Sequence, residues 1–178
     1  MDYLWVLSNA SALFLLWLFV AAGSHKLLSS QRGYYEVVFT AYGIESPFAA
    51  KHLPIVVGLV EVMVGMALVI PALRGWGSVA ALSILFFYFL LVGVQLLRGK
   101  ADMDCGCAGP DGETKISAHL LVRNLVLMAL AVLCLLSIGD AGVMPWVMSV
   151  LTALVLILVY LSCGQLIATA QKIKQLEG

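Results

Sequence analysis

Residues 77–98 read GSVAALSILFFYFLLVGVQLLR, a run with no charged side chain before its last residue. At 1.5 Å per residue a helix of this length covers about 33 Å, close to the roughly 30 Å of hydrocarbon in a bilayer. The run lacks the alternation of a barrel strand, and a lone segment in lipid satisfies its own backbone hydrogen bonds only as a helix. Stretches of similar character lie on either side, at approximately 4–28, 53–73, 119–138 and 143–168. The expected fold is an all-α integral membrane protein. It is a bundle of about five transmembrane helices, a four-helix core plus one C-terminal helix, in a single domain over 1–178.

The bulk composition agrees. Of 178 residues, 62% are hydrophobic and 11% are charged, where a soluble domain carries roughly a quarter. No water-soluble core of this size could hide so much apolar surface, so the lipid bilayer is the first partner. The formal net charge of zero provides no basic stripe for phosphates and excludes nucleic acid. Met1-Asp2-Tyr3 places no Lys or Arg ahead of the first apolar run, unlike a secretory signal. Ala21-Ala22-Gly23 imitates a cleavage site, but the run before it is as long as a full span. A retained first helix is expected.

Pro54 is expected at the start of the second helix, where its missing N–H costs nothing. Pro71-Ala72-Leu73-Arg74-Gly75 and Gly139-Asp140-Ala141-Gly142 read as tight turns. Residues 29–52 mix Tyr34, Tyr35, Tyr42 and Phe48 with charges, which suits a short helix at the headgroup level. Residues 99–118 are polar and rich in turn formers. Five spans put both longer connections and the C-terminus at one end of the bundle. That end carries Lys26, Arg32, Lys51, Arg98, Lys100, Lys115, Arg123, Lys172 and Lys174, against Arg74 alone opposite. The positive-inside rule then places it in the cytoplasm.

Cys105-Gly106-Cys107 is the sequence's most pointed chemistry. Two cysteines one residue apart close only a small, strained disulfide ring, and strain makes such a bond exchangeable rather than structural. Met103, Cys105 and Cys107 would also suit Cu(I), and two unpaired loop thiols are the plain alternative. A nearby cation raises a cysteine's thiolate fraction, whereas Asp104, beside Cys105, opposes it. Glu61 lies about 10 Å beyond Pro54 on the helical rise, and a carboxylate at that depth is paired or functional. Lys26 and Arg123 are its candidate partners. Such a pair either fixes helix register or lies beneath the cysteines and tunes them. Cys134, among Leu and Val, reads as a small hydrophobe. Cys163, in the polar interruption Tyr160–Gln165, packs or serves as a third thiol. An apolar pocket near Tyr160 and Gln165 would be the place for a quinone, the one cofactor considered. His25 and His119 read as interfacial, and without Cys₂His₂ spacing no zinc site is expected. The sequon Asn9-Ala10-Ser11 lies in a span and is discounted.

Asp104-Cys105-Gly106-Cys107-Ala108-Gly109-Pro110, followed by Leu121-Val122-Arg123-Asn124-Leu125, resembles the methylamine utilisation family MauE. Ser24-His25-Lys26-Leu27, Leu53-Pro54, Glu61 and Gly65 fit the same family and the wider DoxX-like group. Ala108 departs from the aromatic residue common there. The resemblance implies a multi-pass protein of the bacterial inner (cytoplasmic) membrane. It also implies a role in maturing the disulfide-rich small subunit of methylamine dehydrogenase, with a thioredoxin-like partner, MauD. On that reading Cys105 and Cys107 make the chain a thiol–disulfide oxidoreductase, with Lys26, Glu61, Arg123, Asp104 and Cys163 in support. A non-enzymatic scaffold for MauD and a Cu(I)-handling protein are the rivals. An exported client requires the cysteines outside, opposite to the side given by the charge count.

Overall fold

The computed structural model describes residues 3–43, 46–99, 118–136 and 143–176, and these contain no strand. Six helices follow in order: α1 (Tyr3–Leu27), α2 (Arg32–Ala41), α3 (Pro47–Val69), α4 (Arg74–Leu97), α5 (Ala118–Leu133) and α6 (Val143–Leu176). A 3₁₀ turn, Ser29–Gln31, joins α1 to α2. Four of them, α1, α3, α4 and α6, are long and apolar enough to cross a membrane, while α5 is apolar but shorter, at 16 residues. The all-α membrane class stands: among the described residues four helices are long enough to span, and the remaining expected stretch corresponds to the shorter α5.

The connection over 29–52 holds α2, which buries Tyr35 and Val38 and exposes Arg32, Val37 and Thr40. One expectation fails here. The second span begins at Pro47, and Pro54 is an interior residue of α3. Ala49, Ala50 and Lys51 are good helix formers, and Pro47 occupies the first turn, so the helix nucleates ahead of Pro54. The interior proline gives up one backbone bond, a loss that neighbouring helices make tolerable in a membrane bundle. Glu61 therefore lies about 21 Å along the axis from the true helix start, not about 10 Å. The apolar part of the last helix reaches Ala170, close to the expected 168, and the helix itself runs on to Leu176.

α1 is the hub, packing against α3, α5 and α6, while α4 closes the bundle against α3 and α5. Phe14, Leu15, Phe19, Leu68, Leu85 and Leu127 form the core. The α1–α3 seam depends on small residues. Gly58, Glu61, Gly65 and Leu68 recur at helical spacing on the face of α3 turned to α1. A Cβ on Gly23 would lie 2.6 Å from the Gly58 carbonyl oxygen, and one on Gly58 would lie 2.8 Å from that of Gly23. Small residues let membrane helices approach this closely, where dispersion rather than hydrophobicity holds them.

The two ends of the bundle differ. At one, Tyr42 packs with Val92 and Leu120, which brings the end of α2, the end of α4 and the start of α5 together as expected. At the other, the Trp5 and Trp146 rings meet edge to face at 5.5 Å. Arg74, counted from sequence as the opposite side's loop charge, is buried there. Its guanidinium donates to Asn9 Oδ1 and Ser8 Oγ, each at 2.8 Å. Asn9 in turn donates to the Trp5 carbonyl at 2.9 Å, so the sequon asparagine is engaged inside the bundle. Cys134 is fully buried, its sulfur 3.3 Å from the Leu130 carbonyl, in keeping with a small core residue.

Candidate functional site

The most concentrated polar chemistry among the described residues is centred on Glu61, which is 1% exposed. Because α1 and α3 run antiparallel, Lys26, one turn beyond Gly23 and beside Gly58, reaches back along α1 towards Glu61, with its Nζ also 3.4 Å from the Ala22 carbonyl oxygen. Lys26 Nζ thus donates to both carboxylate oxygens of Glu61, at 3.0 and 2.8 Å. Of the two candidate partners, Lys26 is the one in contact. From α4, the Tyr88 hydroxyl donates to Glu61 Oε1 at 2.5 Å. Lys26 Nζ lies 5.9 Å from the Tyr35 ring centroid and 5.8 Å from that of Tyr88. Two aromatic faces thus flank a cation whose charge is already matched, and they add cation–π attraction in a site sheltered from water. α2 contributes to this site by placing Tyr35 over the pair.

A cavity of about 40 Å³ opens beside the pair. Its polar wall is Lys26, Glu61, Tyr88, Arg123 and Asn124, and its apolar wall includes Phe19, Leu127 and Tyr160. Arg123 is half-buried and Asn124 buried, so the Arg-Asn pair of α5 faces inward. The Asn124 Nδ2 has no hydrogen-bond partner among the described residues. Tyr160 lies on the cavity wall, where the sequence placed an apolar pocket, but Gln165 is exposed.

Cys163 is exposed on α6 as a free thiol. Asp104, Cys105 and Cys107, with Met103 of the copper reading, lie outside the described residues. Gln95 is buried near the end of α4, whereas Arg98 and His119 are exposed. Sequence reasoning did not find Tyr35 or Tyr88. The signal for Tyr88 was present in FFYFLL, where a single hydroxyl interrupts an all-apolar turn and requires a partner in lipid.

The family model for methylamine utilisation protein MauE matches residues 4–137. Among curated proteins, methylamine utilization protein MauE of Paracoccus denitrificans is 34% identical over 122 residues, covering 68% of this chain and 64% of the relative. That of Paracoccus versutus is 31% identical over 132 residues, 74% of this chain and 67% of the relative. That of Methylophilus methylotrophus is 27% identical over 140 residues, with 75% and 71% covered. The match spans a little under two thirds of the Paracoccus denitrificans protein. No solved structure is significantly similar. With the family match running from the start of α1 to just beyond α5, this multi-pass membrane protein belongs to the MauE family of methylamine utilisation proteins.

Proposed function

We propose that this chain, in the bacterial inner membrane, supports maturation of the methylamine dehydrogenase small subunit by thiol–disulfide exchange through Cys105 and Cys107. The observation that carries this reading is the Cys-Gly-Cys itself, in a polar segment tethered between α4 and α5 of a MauE-family bundle. One thiolate attacks a disulfide of a MauD-like thioredoxin-fold partner, one S–S bond breaks, and a mixed disulfide forms. The second thiolate then displaces the partner's sulfur, leaving Cys105 and Cys107 oxidised and the partner reduced; the reverse sequence delivers a disulfide. Arg123, at the inward start of α5, is the cation that would favour a thiolate, and Asp104 opposes it.

A Cys107→Ser variant removes the resolving thiol. Expressed with the partner, it is expected to accumulate a reductant-sensitive adduct through Cys105. If no adduct forms, and Cys105→Ala/Cys107→Ala leaves the client's disulfides intact, the chain acts as a scaffold instead.

Exchange with an exported client requires the cysteines on the outer face. Burial of Arg74 leaves no exposed cation on the opposite end among the described residues, so the charge asymmetry still favours the inner one. In intact cells lacking Cys134 and Cys163, a membrane-impermeant maleimide is expected to label the pair only after reduction. Labelling that requires permeabilised cells would place the pair in the cytoplasm and eliminate direct exchange with the client.

A further inference from the structure

Asn124 is 2% exposed, yet its Nδ2 has no hydrogen-bond partner among the described residues. A buried amide N–H without an acceptor is costly, and more so at membrane depth, where bulk water does not reach. The residue is on the wall of the cavity of about 40 Å³, as is Glu61. α4 and α5 pack side by side, with Val92 against Leu120 and with Leu85 and Leu127 in one cluster. One turn inward from Leu120, Asn124 is thereby level with Tyr88, the residue that reaches Glu61 from α4. Glu61 has acceptor capacity to spare. Among the described residues its Oε1 receives Lys26 and Tyr88, whereas its Oε2 receives Lys26 alone, and each carboxylate oxygen has two lone pairs. An orphan donor on α5 and an acceptor with room on α3 thus share one small cavity, although the α3 and α5 backbones do not approach each other.

Size and chemistry select the occupant. A buried water needs roughly 10–15 Å³ of cavity and two to four polar partners, so about 40 Å³ takes about two or three. The end of a lipid acyl chain would suit the apolar wall of Phe19, Leu85 and Leu127. It would leave both Asn124 and the spare Glu61 lone pairs unmatched. We infer that this cavity is a buried hydration site, in which water accepts from Asn124 Nδ2 and donates to Glu61 Oε2, and that this bridge is the polar tie between α3 and α5. Asn124 is then a positioning residue. It fixes the water, and the water completes the hydrogen-bond shell of the carboxylate. The Lys26–Glu61 pair is held to α5 through solvent rather than through a direct side-chain contact.

Solid-state NMR of the full-length chain in lipid bilayers, with isotope-labelled asparagine, tests the site directly. The sequence has two asparagines, Asn9 and Asn124, so two side-chain amide signals are expected, and Asn124→Leu identifies the second by its loss. Magnetisation from water is expected to reach the Asn124 amide hydrogens of the wild type, and magnetisation from lipid acyl chains is not. Transfer from acyl chains without transfer from water puts a lipid tail in the cavity and overturns the inference. Transfer from neither shows a dry site and overturns it equally. The bridge itself is read at the carboxylate carbon of Glu61. Its signal is expected to shift in Asn124→Leu and to hold in Asn124→Ser, whose hydroxyl still binds the water. Ala22→Val, on the cavity wall, narrows the space and alters no polar side chain. It is expected to abolish the water transfer to Asn124 and to shift Glu61 as Asn124→Leu does, which provides a second variant should the first fail to fold. A Glu61 signal that neither folded variant moves overturns the bridge.

Discussion

Replacing Lys26 with methionine is expected to lower folding stability by about 3–5 kcal/mol, the usual cost of stranding one member of a buried ion pair. Glu61 is 1% exposed and receives two charge-assisted bonds from Lys26. Methionine fills much of the same volume but donates nothing, so among the described residues the carboxylate retains only the Tyr88 hydroxyl. Unfolding in mixed detergent, followed by circular dichroism, measures the loss. Lys26→Met combined with Glu61→Leu is expected to recover most of it, because an apolar pair of similar size carries no desolvation cost. A single-variant loss below about 1 kcal/mol would show that Glu61 does not depend on its cation.

The second large effect is steric. Gly58→Val would put a Cβ 2.8 Å from the Gly23 carbonyl oxygen, 3.1 Å from the Lys26 Cβ and 3.2 Å from the Leu27 Cγ. The first of these is backbone on the hub helix and cannot rotate away. Overpacking of this kind costs about 1–3 kcal/mol and sometimes more. The upper end is expected here, since parting α1 from α3 also stretches the Lys26–Glu61 bonds. The melting temperature is expected to fall by well over the few degrees of a neutral change, with reduced recovery of folded protein. Gly164→Ala is the control. Nothing lies within 4 Å of a Cβ at Gly164, so the gain in helix propensity stands alone. Equal behaviour of the two variants would contradict the close seam.

Hydropathy alone exposes the class and the approximate spans, because lipid demands long apolar helices whatever their neighbours. It does not show how each helix is rotated about its axis, which packing decides. The choice between Lys26 and Arg123 as partner to Glu61 was therefore open from sequence, although the spacing of Gly58, Glu61 and Gly65 marks a small-residue face with the carboxylate at its centre. Pro54 misled for a local reason: a proline is a good start signal, but Pro47 is an earlier one. Arg74 misled in the opposite sense. A lone cation in a short turn reads as a solvated charge, and only the proximity of Ser8 and Asn9, brought in by the antiparallel packing of α1, makes it a buried one. The Asn124 amide could be named from the sequence as a neighbour of Arg123. That its Nδ2 has no partner among the described residues becomes visible only once α5 is docked.

The seam between α1 and α3 also governs how the protein is made. Lys26 and Glu61 are 35 positions apart, so the ribosome delivers the cation well before the carboxylate. Either charge alone in the middle of a bilayer costs about 2.5–3.5 kcal/mol on insertion scales. At the end of the nascent α1, the lysine can reach back toward the headgroups on its flexible stem. The glutamate, deep in α3 on a shorter stem, has no such refuge. Its entry into lipid becomes favourable only when α1 is present to receive it. The first two spans are therefore expected to leave the translocon as one hairpin, with the charges neutralised against each other as they cross into hydrocarbon.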